Sequence, residues 1–239
     1  MELRNTKFQV NGIAIPCIAI EMPHSRANAV VIHGYGGNKE EVLGLSYAIS
    51  CLDVNAYTID LRGHGENAEP YDATVLSDLN QVIHSLASQA VVVALGHSLG
   101  GRLALLSEAD IRIGISPALK SSFSDQTVST IKALRGFRVK QLSEDVNFEI
   151  LKNLPLAEDN LRDSDLVLYG LRDIPDIISA CIELKGCFPN TVEIPGASHN
   201  DIVTFYETFE RVREFIRARV DKVAPKRMAA TDSGAARHD

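Results

Sequence analysis

Gly96-His97-Ser98-Leu99-Gly100-Gly101 lies between an apolar run over residues 90–95 and a helix-favouring run over residues 102–109. The order reads as strand, sharp turn, helix. A serine held in that turn points its hydroxyl outward on a strained backbone, and Gly96 and Gly100 lack the Cβ atoms that would keep strand and helix apart. The Gly-x-Ser-x-Gly spacing also occurs in plain turns. An apolar strand before it and a helix after it supply the setting in which such a serine serves as a nucleophile. Ser98 is the candidate.

On either side of this turn the chain alternates between short apolar runs and amphipathic ones. Residues 8–10 and 13–20 are β-prone and meet at Asn11-Gly12, which reads as an edge hairpin. Residues 29–32, 54–60, 111–115, 165–169 and 191–194 read as further strands. Between them, helices are expected from Asn38 to about residue 51, over 74–88 with an apolar face on Val75, Leu79, Val82 and Leu86, and from Pro175 to Gly186, with a last one over about 201–220. Continuous apolar strands between amphipathic helices predict a mostly parallel central sheet covered on both faces, an α/β fold. Residues 118–162 are too long for a simple crossover and read as a small helical insertion over the strand ends. The expected organisation is one domain over 1–222, with this insertion as a cap, and a disordered polar tail over 223–239.

With 239 residues, 45% of them hydrophobic, the chain can bury a substantial core. Against 31 Asp and Glu stand 24 Lys and Arg, a net charge of −7, and no basic cluster is interleaved with aromatics, which argues against a nucleic-acid partner. No signal-peptide pattern or membrane-spanning run is evident, so a cytoplasmic protein without a transmembrane segment is expected. Cys17, Cys51, Cys181 and Cys187 are scattered, with no metal-ligand spacing, and are expected to be reduced and mostly buried; neither metal nor cofactor is implied.

Five stretches together resemble the α/β-hydrolase superfamily over nearly everything before the tail: His33-Gly34-Tyr35-Gly36-Gly37, Asp60-Leu61-Arg62-Gly63-His64-Gly65, Gly96 to Gly101, Gly170-Leu171-Arg172-Asp173 and Gly196-Ala197-Ser198-His199. The superfamily orders its nucleophile, acid and histidine along the chain as Ser98, Asp173 and His199 stand here. The resemblance implies that His199 takes the serine proton and that Asp173 orients the imidazole. It also implies that the backbone N–H groups of Leu99 and Tyr35 receive the oxyanion. Asp176 competes for the acid's place but stands inside the first helical turn, where an acidic side chain meets the helix dipole. His33, His64 and His97 stand too early in the chain for the base and are expected to position loops.

Relatives that attack carbon–halogen bonds or epoxides use an aspartate where this chain has Ser98, so acyl transfer to water is the implied reaction. The insertion resembles the small caps of carboxylesterases and monoacylglycerol-lipase-like enzymes; its apolar residues Phe123, Val128, Ile131, Leu134, Phe137, Leu142, Phe148 and Leu151 either roof an acyl pocket or pack on the sheet. The expected function is a serine carboxylesterase of small to medium acyl chains, with a small-molecule ester as partner. A cofactor-free perhydrolase, a thioesterase, a C–C bond hydrolase or a non-catalytic binding protein are the alternatives.

Overall fold

The computed structural model describes residues 1–87 and 90–235. Its centre is an eight-stranded sheet. The strands are β1 (Glu2–Val10), β2 (Ile13–Glu21), β3 (Ala27–Ile32), β4 (Val54–Ile59), β5 (Val91–His97), β6 (Ile111–Ile115), β7 (Leu166–Arg172) and β8 (Thr191–Ser198). They lie in the order β1-β2-β4-β3-β5-β6-β7-β8. Pairing is antiparallel from β1 to β2 and from β2 to β4, and parallel across the rest. The β1–β2 hairpin turns on Asn11 and Gly12, both at positive φ (50° and 78°), the geometry whose twist matches paired strands. β1 starts earlier than the apolar pattern foretold: residues 2–5 are all exposed and carry no alternation, so backbone pairing with β2 makes the strand.

Alternate residues of the parallel strands feed opposite faces of the sheet. Val30, Ile32, Val92 and Ala94 join the core beneath α2 (Val75–Ala87) and α3 (Leu99–Leu106). Val31, Val93, Leu95 and Ile113 join the core beneath α1 (Leu43–Ser50) and α7 (Tyr206–Ala235). Each such Val, Leu or Ile side chain contributes about 1.5–3 kcal/mol by leaving water, and burial on both faces is what a parallel sheet requires. α7 extends to Ala235, past residue 222 where the domain was expected to end; residues 236–239 lie outside the described residues, as do 88 and 89 at the end of the expected helix over 74–88. No helix among the described residues is long and apolar enough to cross a membrane.

Between β6 and β7 the chain forms α4 (Asp125–Arg135) and α5 (Val146–Asn153), and α6 (Pro175–Lys185) follows β7. Both ends of that inserted segment are tied to α3 by Arg102, which is fully buried. Its guanidinium donates to the carbonyl oxygens of Ala118 (3.2 Å), Lys120 (2.8 Å), Leu154 (3.0 Å) and Pro155 (3.0 Å). Burial draws its pKa down to about 10, so it stays charged at neutral pH. Of the cysteines, Cys17 and Cys181 are buried and Cys51 and Cys187 exposed; all four are free thiols.

Candidate active site

The last residue of a parallel strand precedes each of Ser98, Ser116, Asp173 and His199, so the parallel register of β5, β6, β7 and β8 delivers all four to one edge of the sheet. Pairing of β7 with β8 is irregular between Gly170 and Arg172, immediately before Asp173. Such a bulge re-aims the chain as it leaves the sheet.

Ser98 sits at φ 55° and ψ −115°, a conformation costing about 1–3 kcal/mol for a non-glycine residue. Packing enforces it. A Cβ on Gly96 would lie 2.2 Å from the Gly100 carbonyl oxygen, and one on Gly100 would lie 2.5 Å from the carbonyl oxygens of His33 and Ile32. The Ser98 N–H donates to the Ile115 carbonyl (2.9 Å), and its own carbonyl accepts from Arg102 and Ala118 (3.1 Å each). The turn is thus locked from both sides.

His199 Nε2 stands 3.1 Å from Ser98 Oγ, and His199 Nδ1 stands 2.6 Å from Asp173 Oδ1. That spacing lets Nδ1–H donate to the carboxylate while bare Nε2 accepts from the serine hydroxyl. The Asp173 side chain is fully buried. Burial pushes its carboxyl pKa up, but the hydrogen bond and charge of His199, the Ser116 hydroxyl and the Ile174 N–H together hold it below the ordinary carboxylate value. Ser116 donates to Asp173 Oδ2, and Ile174 N–H donates to Oδ1 at 2.7 Å. Asp176 is elsewhere: it accepts from the hydroxyls of Thr127 (2.5 Å) and Ser124 (2.8 Å), tying α6 to the start of α4.

Tyr35 lies in a turn closed by Gly37 N–H to the Gly34 carbonyl at 3.0 Å. A Cβ on Gly34 would be 3.2 Å from Ser98 Cβ, so this turn presses directly on the serine. Leu99 opens α3, where a backbone N–H has no acceptor within the helix. Neither the Tyr35 nor the Leu99 N–H donates to a protein acceptor among the described residues.

The other histidines support the loops. His33 Nε2 accepts the Leu61 N–H (3.1 Å), which fixes the proton on Nδ1, donating to the Gly34 carbonyl (2.8 Å). Burial lowers its pKa to about 4. His97 is held near about 3 by burial and then by neighbouring His199, and its Nε2–H donates to the His199 carbonyl at 2.7 Å. His64 is likewise lowered to about 3 by burial and packs edge-on to Tyr35 and Tyr71. Asp60, which follows β4, accepts from the backbone N–H and Nζ of buried Lys39 and from the Glu66 N–H.

A cleft of about 460 Å³ opens over Ser98 and His199, walled by Tyr35, Ile131, Leu134, Ile174 and Val203 and by the charged Glu41, Arg135 and Arg138. A second, apolar recess of about 30 Å³ lies beside Ser98 and Leu99, lined by Phe123, Ile131, Leu151 and Ile177. Of the inserted segment's apolar residues, then, Phe123, Ile131, Leu134 and Leu151 line the cavities, Leu134 at the exposed rim, whereas Phe137 and Leu142 are exposed and line neither. Asn200, next to His199 in the chain, lines the cleft and accepts from Arg135. Sequence reasoning missed Ser116 and Arg102; only their places, after a strand and in the helix behind the turn, mark them.

The alpha/beta hydrolase family model matches residues 29–170, more than half of the chain. No curated protein matches it by sequence. Est1E from Butyrivibrio proteoclasticus, solved with ferulic acid bound, superposes with a TM-score of 0.73 at 17% identity, over 90% of this chain and 99% of its own. A carboxylesterase structure from the ammonia-oxidizing thaumarchaeon Nitrososphaera gargenis gives 0.69 at 17% identity over 92% and 100%. The thioesterase domain from the curacin biosynthetic pathway gives 0.65 at 15% over 90% and 99%. At these identities the likeness is one of fold. The extent of the family match decides the assignment: this chain belongs to the alpha/beta hydrolase family.

Proposed function

We propose that this hydrolase cleaves carboxylic esters of small acyl groups through an acyl-enzyme, with Ser98 as nucleophile, His199 as base and Asp173 as its orienting acid. The observation that carries the reading is the continuous relay from Ser98 Oγ through His199 to the ionised Asp173, at 3.1 Å and 2.6 Å. Ser98 Oγ attacks the ester carbonyl carbon as its proton passes to His199 Nε2. The carbonyl oxygen becomes an oxyanion received by the Tyr35 and Leu99 N–H groups. Collapse breaks the bond to the alcohol oxygen, which takes the proton from Nε2 and leaves. Water then attacks the acyl-enzyme, gives its proton to Nε2, and the second collapse returns that proton to Ser98 Oγ and frees the acid.

The apolar recess supports the choice of acyl group: about 30 Å³ beside Ser98 holds roughly two water-sized groups, the bulk of a short chain. The inserted segment 118–162 serves as the cap, since its residues roof both cavities while Arg102 anchors its ends. The carboxylesterase from Nitrososphaera gargenis among the fold neighbours is consistent with ester chemistry.

The test joins a fluorophosphonate probe with a substrate panel. Wild type labels at Ser98 and hydrolyses p-nitrophenyl acetate, and Ser98→Ala does neither. Higher kcat/KM on acyl-thioesters, in peracid formation or on C–C substrates than on any ester reassigns the reaction. Absence of labelling in wild type rejects the nucleophile.

A further inference from the structure

Two guanidiniums share the cleft wall with a single carboxylate. Glu41, Arg135 and Arg138 line the cleft above Ser98, and Glu41 Oε1 lies 3.7 Å from Arg135 Nη1 and 3.5 Å from Arg138 Nη1. The neighbouring His97 is neutral, held near about 3 by burial. The wall itself therefore carries one positive group in excess, while the ionised Asp173 lies buried behind His199 and does not line the cleft, in a chain whose net charge is −7. Arg135 is set firmly: a Cβ on Gly36 would lie 2.7 Å from Arg135 Cβ, so the turn carrying Tyr35 packs on its backbone, and Arg135 Nη2 donates to Asn200 at 2.9 Å, one residue beyond His199. Each guanidinium carries five N–H donors in a fork that matches a carboxylate. Asn200 and one Glu41 oxygen occupy a minority of them.

We propose that Arg135 and Arg138 form an anion-recognition subsite and that the substrate is an ester of a small acyl group whose leaving alcohol or phenol carries a carboxylate. This rests on the ester reading above. The two cavities divide the substrate. The recess lined by Phe123, Ile131, Leu151 and Ile177 is mostly apolar, so it takes the acyl chain. Only the larger cleft carries the arginines, so it takes the leaving group. Glu41 tunes the subsite: its carboxylate already sits between the two guanidiniums and competes with an incoming anion.

The test uses matched phenyl acetates, 4-acetoxybenzoate and its methyl ester, so that any general damage to the relay cancels in the ratio of their kcat/KM values. Wild type is expected to favour the anionic ester by about tenfold, the size of a partly exposed charge-assisted pair, and to lose that preference as salt is raised. The ratio falls to near one in Arg135→Gln/Arg138→Gln and rises above wild type in Glu41→Gln. A wild-type ratio near one, or one that the double variant leaves unchanged, overturns the proposal. A second readout does not depend on turnover: 4-acetamidobenzoate should bind wild type about tenfold more tightly than 4-acetamidobenzamide, and equal binding overturns the subsite. If neither ester turns over and no probe labels Ser98, the esterase reading fails, while the binding comparison still decides whether the subsite exists.

Discussion

Ser116 donates its hydroxyl hydrogen to Asp173 Oδ2, on the carboxylate whose Oδ1 faces His199. Ser116 reaches it by adopting φ 46° directly after β6, a strained conformation for a non-glycine residue. Strain of about 1–3 kcal/mol persists where the surroundings over-determine it, and here the Ser116 N–H is also held by the Leu168 carbonyl at 2.7 Å. Both carboxylate oxygens are consequently fixed.

A hydrogen bond to a charged group is worth about 1.5–3 kcal/mol. Ser116→Ala should therefore lower kcat by roughly ten- to a hundredfold through looser positioning of Asp173, with Ser98 still labelled by a fluorophosphonate. Asp173→Asn should cost more, about 10⁴-fold, the size of the same change in a serine-protease triad, because an amide favours the wrong imidazole tautomer. Steady-state kinetics with thermal melts on both variants check this; Ser116→Ala at wild-type kcat removes Ser116 from the positioning role.

The glycines of the turn make a second, independent prediction. Gly96→Ala and Gly100→Ala each drive a methyl to 2.2–2.5 Å from a backbone carbonyl, and backbone cannot give way as a side-chain tip can. Both variants should lose several kcal/mol or fail to fold, since overpacking with a backbone shift costs typically 1–3 kcal/mol and more where no relaxation exists. Gly44→Ala, whose added methyl meets nothing within 4 Å, serves as the control and should fold normally. Chemical denaturation midpoints decide it.

These same contacts explain what the sequence made legible. Strands with unbroken apolar runs, such as 29–32 and 91–95, announce burial on both faces, and the glycines at 96 and 100 announce a close approach, so the fold class and the tight turn that holds Ser98 could both be read. The chain order then singled out Asp173 and His199, which the irregular β7–β8 pairing brings to the same edge. Ser116 was illegible because its role lies in a single hydroxyl and one left-handed residue, neither of which leaves a periodic trace. Arg102 was illegible for the opposite reason: an arginine in an amphipathic stretch reads as exposed, yet four carbonyls from 52 residues of intervening chain and less converge on it. The early start of β1 escaped notice because strand pairing there involves backbone alone.

Acyl-chain preference is set by the recess beside Ser98. Phe123 lines it and is only half-buried, so its truncation enlarges the space at a lower stability cost than a core position would impose. Phe123→Ala should shift the preference from p-nitrophenyl acetate and propionate toward six- and eight-carbon esters, changing the ratio of kcat/KM values by about tenfold, in line with one to a few methylenes in an apolar pocket. An unchanged chain-length profile assigns the acyl group to the larger cleft instead.

Buried neutral histidines make stability depend on acid. His33, His64 and His97 have pKa values lowered by burial from 6.5 to about 4, 3 and 3. In the unfolded chain each takes up a proton as pH falls through 6.5, whereas in the folded protein each stays neutral until pH nears its own depressed value. The unfolded state thus binds more protons across the interval from about pH 6.5 down to about pH 3–4, and folding stability falls as pH falls through it. Each histidine contributes at most about 1.4 kcal/mol per pH unit. Above pH 7 the three contribute no slope. Urea denaturation midpoints measured from pH 7.5 to pH 4.5 should therefore be flat at the top and drop steeply below about pH 6.5. His97→Gln should flatten the slope by roughly one proton, because the amide can still donate toward the His199 carbonyl but cannot titrate. A midpoint that stays constant to pH 4.5 would mean that these rings are charged or solvated in the folded protein.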